Sequence, residues 1–289
     1  MISNLPYYAS FRDYLQTERS EKTVVLFCKS LYVFLILKII FLWPALHDLV
    51  TYSPFQFTSA WRYVIYAPIK LAQWNLDVFL IGLVLILIIV LRVGLNYFTS
   101  ALIFWLSFCI SRLTGTMANG SDSILNLFLL LAIGFSDRPA FKAPSLRSSQ
   151  SMVSNFVLFL CRIQLALIYL LSGFDKLTSD AWRSGDAIYS IMNLEYFSNP
   201  TTTFYLNESI CAVLAWGVIL FELGFPFLIW FRRFRFPILA MGICFHIGII
   251  FFLSLPDFGV IMIMTYLLFV PNSAAGKWWF ESRLPNTES

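Results

Sequence analysis

The sequence predicts an all-α fold, a polytopic integral membrane bundle of about eight transmembrane helices. Three observations lead there. The chain of 289 residues is 59% hydrophobic and only 12% charged, whereas soluble domains run nearer half apolar and a quarter charged. Its mean hydropathy is +0.75. Runs such as 78–91 and 238–255 are too poor in polar residues for solvated helices, and they approach the ~20 residues that cross a ~30 Å hydrocarbon core. The polar stretches are too short for a separate soluble domain. The expected organisation is a cytoplasmic N-terminal segment at 1–29, one transmembrane domain at 30–272 and a cytoplasmic tail at 273–289.

Residues 1–27 hold Arg12, Asp13, Glu18, Arg19, Glu21 and Lys22, with no small-residue cleavage site after a short apolar core. They do not read as a signal peptide, so the first apolar run is expected to remain as a helix. The spans fall at about 30–48, 76–93, 96–112, 122–136, 152–175, 209–231, 236–254 and 257–271. Several are short for an upright crossing, and their polar flanks are expected to continue as helix. Between the fourth and fifth spans, Pro139, Lys142, Pro144 and the serines of 145–154 read as the linker, with four spans on each side. Between the fifth and sixth, the partly apolar stretch 188–206 is expected to lie along the membrane surface or to re-enter it.

Orientation follows from the basic residues, which favour the cytoplasmic side. With the N-terminus inside, thirteen Lys and Arg fall in inner segments and five in outer ones: Arg62, Lys70, Arg112, Lys176 and Arg183. Both termini are therefore expected in the cytoplasm, in a plasma or inner membrane. The sequons at Asn119 and Asn207 fall outside. Five cysteines without CxxC spacing give neither a disulfide framework nor a metal site. Metalloprotease, P-loop and dinucleotide-binding spacings do not occur. The basic residues are spread among inner loops, which does not favour nucleic acid.

Lys38, Arg162, Glu222 and His246 sit near the middle of their spans. Ionisable groups there cost about 2.5–3.5 kcal/mol each on insertion scales, so they need partners or water. The pairings expected are Glu222 with Arg162 or with His246, and a structural or snorkelling role for Lys38. In the fifth span Arg162, Tyr169, Gly173 and Lys176 are separated by 7, 4 and 3 residues. They share one helical face and form a stripe of ~20 Å. A polar stripe of this kind is expected to line an interior. The stretch YLLSGFDKLTSDAWRSGDAI then places a lysine at the outer mouth, next to Asp175, with Trp182 and Gly185 letting the chain fold back over it. Lys176 reads as a candidate base or as an interfacial lysine snorkelling to headgroups.

The order of motifs adds a resemblance. NGSDSILNLFLLLAIGF opens the fourth span, YLLSGFDKLTSDAWRSGDAI closes the fifth, FELGFPFLIWFRRFRF ends the sixth, and MGICFHIGIIFFLSLPDFGVIMIMTYLLFVP covers the last two. Over residues 20–272 this series resembles the HTTM family, the transmembrane domain shared with vitamin K-dependent gamma-carboxylase. In the carboxylases the lysine after the glycine deprotonates reduced vitamin K, and the oxygenated quinone abstracts a proton from glutamate. Lys176 matches that lysine. The resemblance implies Lys176 as base, with Glu222 and His246 orienting groups in a cavity. It also implies Asp122, Arg162, Tyr169, Gly173, Asp175, Trp182 and Gly185 as cavity residues, and a reduced, vitamin K-like quinone as cofactor. Asp122 stands where the carboxylase motif has a histidine, and the large lumenal domain that captures substrate propeptides has no counterpart. Both departures point away from carboxylation of protein glutamate. A smaller HTTM branch, the B component of sporulation-delaying-type toxin systems, implies instead maturation or export of a peptide toxin. The partners would then be the lipid bilayer and a peptide substrate or neighbouring membrane subunit. A DoxX-like quinone oxidoreductase subunit, with its small bundle and Gly-to-Lys stretch, is the third alternative.

Overall fold

A computed structural model describes residues 21–51, 60–113, 120–136, 144–194 and 207–270. Among these residues the regular elements are all helical. In chain order they are α1 (Glu21–Thr51), α2 (Ala60–Ile65), α3 (Ala67–Trp74), α4 (Leu76–Val93), α5 (Tyr97–Leu113), α6 (Gly120–Ala132), α7 (Pro144–Thr178), α8 (Asp180–Ser184), α9 (Asp186–Asn193), α10 (Glu208–Leu228), α11 (Arg232–Phe252) and α12 (Pro256–Thr265). A 3₁₀ turn at Tyr266–Phe269 follows. Five stretches are long and apolar enough to cross a membrane: Lys22–Asp48, Leu76–Val93, Met152–Thr178, Glu208–Leu228 and Arg232–Phe252. Tyr97–Leu113, Gly120–Ala132 and Pro256–Phe269 are shorter apolar helices. The chain is a multi-pass, all-α membrane protein.

Every predicted span falls on one of these helices, with three differences. Pro144 and the serines after it are not linker but the first turns of α7; proline is tolerated in a first turn, where its missing N–H would have no partner anyway. The fourth span closes early, after Ala132, where the chain tightens into i→i+3 bonds from Ile133, Gly134 and Phe135. The short helices α2 and α3 occupy a connection for which no element was expected. Residues 188–193 belong to α9. The rest of that stretch from 195, the N-terminal residues 1–20, Asn119, 137–143 and the tail from 271 lie outside the described residues.

Local chemistry sets several boundaries. Asn75 Oδ1 accepts from Val78 N at 3.0 Å and starts α4, and Asn207 Oδ1 accepts from Ile210 N at 2.9 Å and starts α10. Each satisfies one of the N–H groups that a first turn leaves without a partner.

The helices group into two compact units, residues 1–160 with 267–289 and residues 161–266. In the first, Leu80, Leu83, Leu87 and Val90 of α4 recur at three- and four-residue spacing and are buried. They give the helix one inward stripe. Phe27 of α1 meets Phe128 of α6 edge to face at 5.4 Å. Polar groups in this unit are paired: Tyr32 Oη with Ser100 Oγ at 3.0 Å, Ser107 Oγ to Asn126 Oδ1 at 2.9 Å, and Asn126 Nδ2 to Ser111 Oγ at 2.7 Å. Lys38 Nζ pairs with Asp122 Oδ1 at 2.9 Å and donates to Ser121 Oγ at 2.8 Å.

In the second unit α10 shows how its sequence sorts two faces. Cys211, Ala215, Ile219, Glu222, Phe225 and Ile229 follow one another every three or four residues and are all buried. Val213, Leu220 and Phe227, spaced by seven, are 72%, 65% and 63% exposed. An apolar outward face is what a bilayer favours. The carboxylate of Glu222 is therefore carried inward by the same stripe that forms the core.

Candidate functional site

The site lies entirely within residues 161–266. It is a cavity of about 260 Å³. Ile168, Tyr169, Ser172 and Lys176 of α7 form one wall, with Val218 and Glu222 of α10 beside them. Phe245, His246 and Ile249 of α11 and Phe258 and Met262 of α12 complete the interior, while Trp182 of α8 and Ile188, Ile191 and Met192 of α9 close over it. Most of this wall is apolar, and the polar groups in it are few.

Two hydrogen-bonded groups line the cavity. In the first, Lys176 Nζ reaches both oxygens of Glu222, at 2.8 and 3.0 Å, and Ser172 Oγ at 2.6 Å. Its ammonium also lies 5.0 Å from the centroid of the Trp182 ring, within reach of a cation–π attraction. The side chains of Lys176 and Glu222 are 16% and 7% exposed. Two opposite charges so far from water are tolerable only because each answers the other. In the second group, Tyr169 Oη meets His246 Nε2 at 2.7 Å and Tyr266 Oη at 2.5 Å. The Nδ1 of His246, also buried, has no hydrogen-bond partner among the described residues.

Helix geometry explains why these groups meet. Gly173 lets α10 approach α7 closely: a Cβ there would lie 3.0 Å from Glu222 Cβ and from Leu223 N. That contact sets Glu222 level with the last turns of α7, where Lys176 stands one turn beyond the glycine. After Thr178 the chain reverses. Gly185 adopts φ +92° between α8 and α9, and a Cβ there would lie 2.5 Å from Ala212 N. The conformation and the space both call for glycine. Trp216 Nε1 donates to Arg183 O at 3.2 Å and holds the same reversal against α10.

Of the predicted site residues, Tyr169, Lys176, Trp182, Glu222 and His246 line the cavity. Gly173 and Gly185 act through backbone approach. Asp175 is exposed. Arg162 is half-buried and outside the wall. Asp122 belongs to the first unit, on Lys38. The expected partners of Glu222 need correction. It pairs with Lys176, not with Arg162 or His246. Arg162 lies eleven residues before the glycine that touches Glu222, about 16 Å down the helix axis, and His246 turns its Nε2 to Tyr169 instead. Two hydrogen-bonding contributors were not among the expected residues. Ser172 sits four before Lys176 on the same face, a spacing that brings helical side chains together. Tyr266 is a phenol in an apolar span, and a buried phenol usually signals a partner.

Fold and site together define a multi-pass helical membrane protein with a lysine–glutamate pair in the wall of an apolar cavity. Residues 22–273 match the HTTM domain, and the chain belongs to the HTTM family. It is similar to the sporulation-delaying protein SdpB of Bacillus subtilis (strain 168), with 27% identity over 276 residues, covering 90% of this chain and 85% of that protein. No solved structure matches it.

Proposed function

We propose that the chain is the membrane component of a peptide-toxin maturation system, and that the cavity around Lys176 and Glu222 is its working site. Support comes from similarity to a sporulation-delaying protein along most of both chains. The observation that carries the assignment of the site is where the pair stands: a buried lysine and glutamate in the wall of a mostly apolar cavity, under the reversal at Trp182 and Gly185. Buried ion pairs are costly to desolvate, and an apolar pair of the same volume would often be no less stable. With a cavity beside it, the pair is better explained by work on a bound molecule than by stability.

A second reading has its own observation. Lys176 acts as a base only after losing a proton, and the Glu222 carboxylate 2.8 Å away is placed to take it. The aromatic walls fit the head of a reduced quinone, the cofactor implied by the carboxylase resemblance: Trp182, Phe245 and Phe258 would hold the ring, with Lys176 as proton acceptor. When bound, such a group would supply reducing equivalents.

The deciding experiment expresses the chain with a candidate secreted peptide precursor encoded beside it and measures the mature peptide by mass spectrometry. Lys176→Ala abolishes maturation. Lys176→Arg separates the readings, because a guanidinium keeps its charge and does not act as a base near neutral pH. Full activity with arginine leaves a binding role only. Loss with both variants, measured per amount of folded protein, supports the base. Undiminished maturation by Lys176→Ala would sink the assignment of the site.

The proposed orientation puts both termini in the cytoplasm and Lys176 outside. A cysteine replacing Ser179, in a chain otherwise without cysteine, should then react with an impermeant thiol reagent in intact cells. Reaction only after permeabilisation would invert the topology.

A further inference from the structure

The corner between α10 and α11 carries FRRFRF, residues 231–236, in which guanidiniums alternate with aromatic rings. It joins two apolar spans, Glu208–Leu228 and Arg232–Phe252, so it stands at a membrane surface. The cavity cover lies at the other end of α10, where Gly185 packs on Ala212 and Trp216 binds Arg183. The helix runs 21 residues, which separates the two ends by ~30 Å.

The three arginines do different things. Arg235 builds the corner: its Nε donates to Ile229 O at 3.2 Å and answers a carbonyl that the end of a helix leaves without a partner. The side chains of Arg232 and Arg233 build nothing. Both residues are exposed, and no carboxylate among the described residues pairs with them. Arg232 and Arg235 are three apart on α11, a spacing at which like charges face and repel each other. At the far end of α10, by contrast, Arg183 is paired with Asp180. An anion bridging the guanidiniums would turn the repulsion at the corner into charge-assisted hydrogen bonds.

The rings narrow the class of anion. Phe231 and Phe236 are 61% and 80% exposed, and Phe231 meets Phe234 edge to face at 6.5 Å. Away from the corner the exposed apolar faces continue, through Phe227 and Leu220 on α10 and through Met241 and Ile247 on α11. A free phosphate uses the charges alone, and an acidic peptide has nothing for the apolar faces within the bilayer. A phospholipid matches both, with a phosphate for the guanidinium forks and acyl chains for the faces. A net negative headgroup is the one that gains from several arginines at the surface. We propose that this corner is a binding site for an anionic phospholipid, with Arg232 and Arg233 on the headgroup phosphate and Arg235 holding the turn. The site is separate from the cavity and does not depend on what the cavity holds.

The test titrates the purified full-length protein in detergent with phosphatidylglycerol or phosphatidylcholine of the same acyl chains and counts bound lipid by native mass spectrometry. The parent binds phosphatidylglycerol about thirtyfold more tightly, the scale of two surface arginines on an anionic headgroup. Arg232→Gln combined with Arg233→Gln removes that preference. Should the double variant fail to fold, each single variant serves instead and loses about fivefold. Arg92→Gln, which removes an exposed arginine in the last turn of α4, leaves the preference unchanged. Equal binding of the two lipids by the parent, or a preference that survives the double variant, overturns the proposal. A loss as large with Arg92→Gln makes the preference a matter of net charge and overturns the site. Glycerol 1-phosphate competing as well as phosphatidylglycerol assigns the corner to a free phosphate, and displacement of the lipid by a hexaglutamate peptide assigns it to an acidic protein segment. Either result overturns the lipid assignment.

Discussion

The two units each hold a lysine–carboxylate pair within apolar helices, and the pairs are built alike. Lys38 meets Asp122 at 2.9 Å and Ser121 at 2.8 Å; Lys176 meets Glu222 at 2.8 Å and Ser172 at 2.6 Å. Their burial is similar, at 10% and 14% exposed for the first and 16% and 7% for the second. The surroundings differ. Lys38 ties α1 to the first turn of α6, where Asp122 also faces the positive end of the helix. Lys176 stands in a cavity wall with Trp182 over its ammonium and the Tyr169–His246 pair beyond. An ion pair in a membrane helix therefore does not by itself mark a working site. The Lys176–Glu222 pair is taken as the working one because it forms part of a cavity wall.

Exchanging each pair for apolar residues breaks or sharpens this contrast most strongly. Lys176→Met alone leaves the Glu222 charge buried, and Lys38→Met does the same to Asp122; each is expected to cost ~3–5 kcal/mol, seen as a loss of folded yield and thermal stability in detergent. The double variants, Lys176→Met with Glu222→Leu and Lys38→Met with Asp122→Leu, should both recover most of that stability. Only the second should recover peptide maturation. If the Lys38 and Asp122 double variant folds well and is inactive, both pairs are functional and the contrast fails.

A smaller effect compares two of the close-approach glycines of the second unit, Gly185 and Gly173. Gly185→Ala combines a positive φ with a backbone clash at Ala212 and should cost ~2–3 kcal/mol. Gly173→Ala meets Glu222 and Leu223 at 3.0 Å without backbone strain, and a loss of ~1 kcal/mol is expected. Thermal unfolding of the purified variants measures both. Equal losses would mean that helix approach at Gly173 is as constrained as the turn.

The smallest effect concerns neighbours in sequence. Asp175 is exposed while Lys176 is not, so Asp175→Asn should stay within about 0.5 kcal/mol of the parent and mature peptide normally. A marked loss of maturation would bring Asp175 into the site.

The sequence by itself determined the class of protein. Apolar runs long enough to cross a bilayer admit little but helices, because backbone groups in lipid must be satisfied within the segment. Helical spacing also made Tyr169, Gly173 and Lys176 legible as one inward face. The expected pairing of Arg162 with Glu222 failed, since a place near the middle of a span says nothing of which level meets a partner. That level was decided by the packing of α10 against Gly173, which set Glu222 opposite Lys176 and left Arg162 some turns away. The Tyr169–His246–Tyr266 chain was likewise a tertiary outcome, joining residues up to 97 positions apart on three different elements. Periodicity along one helix orients side chains around its axis, but the height at which two helices touch depends on shape at their contact, and only the packed structure contains it.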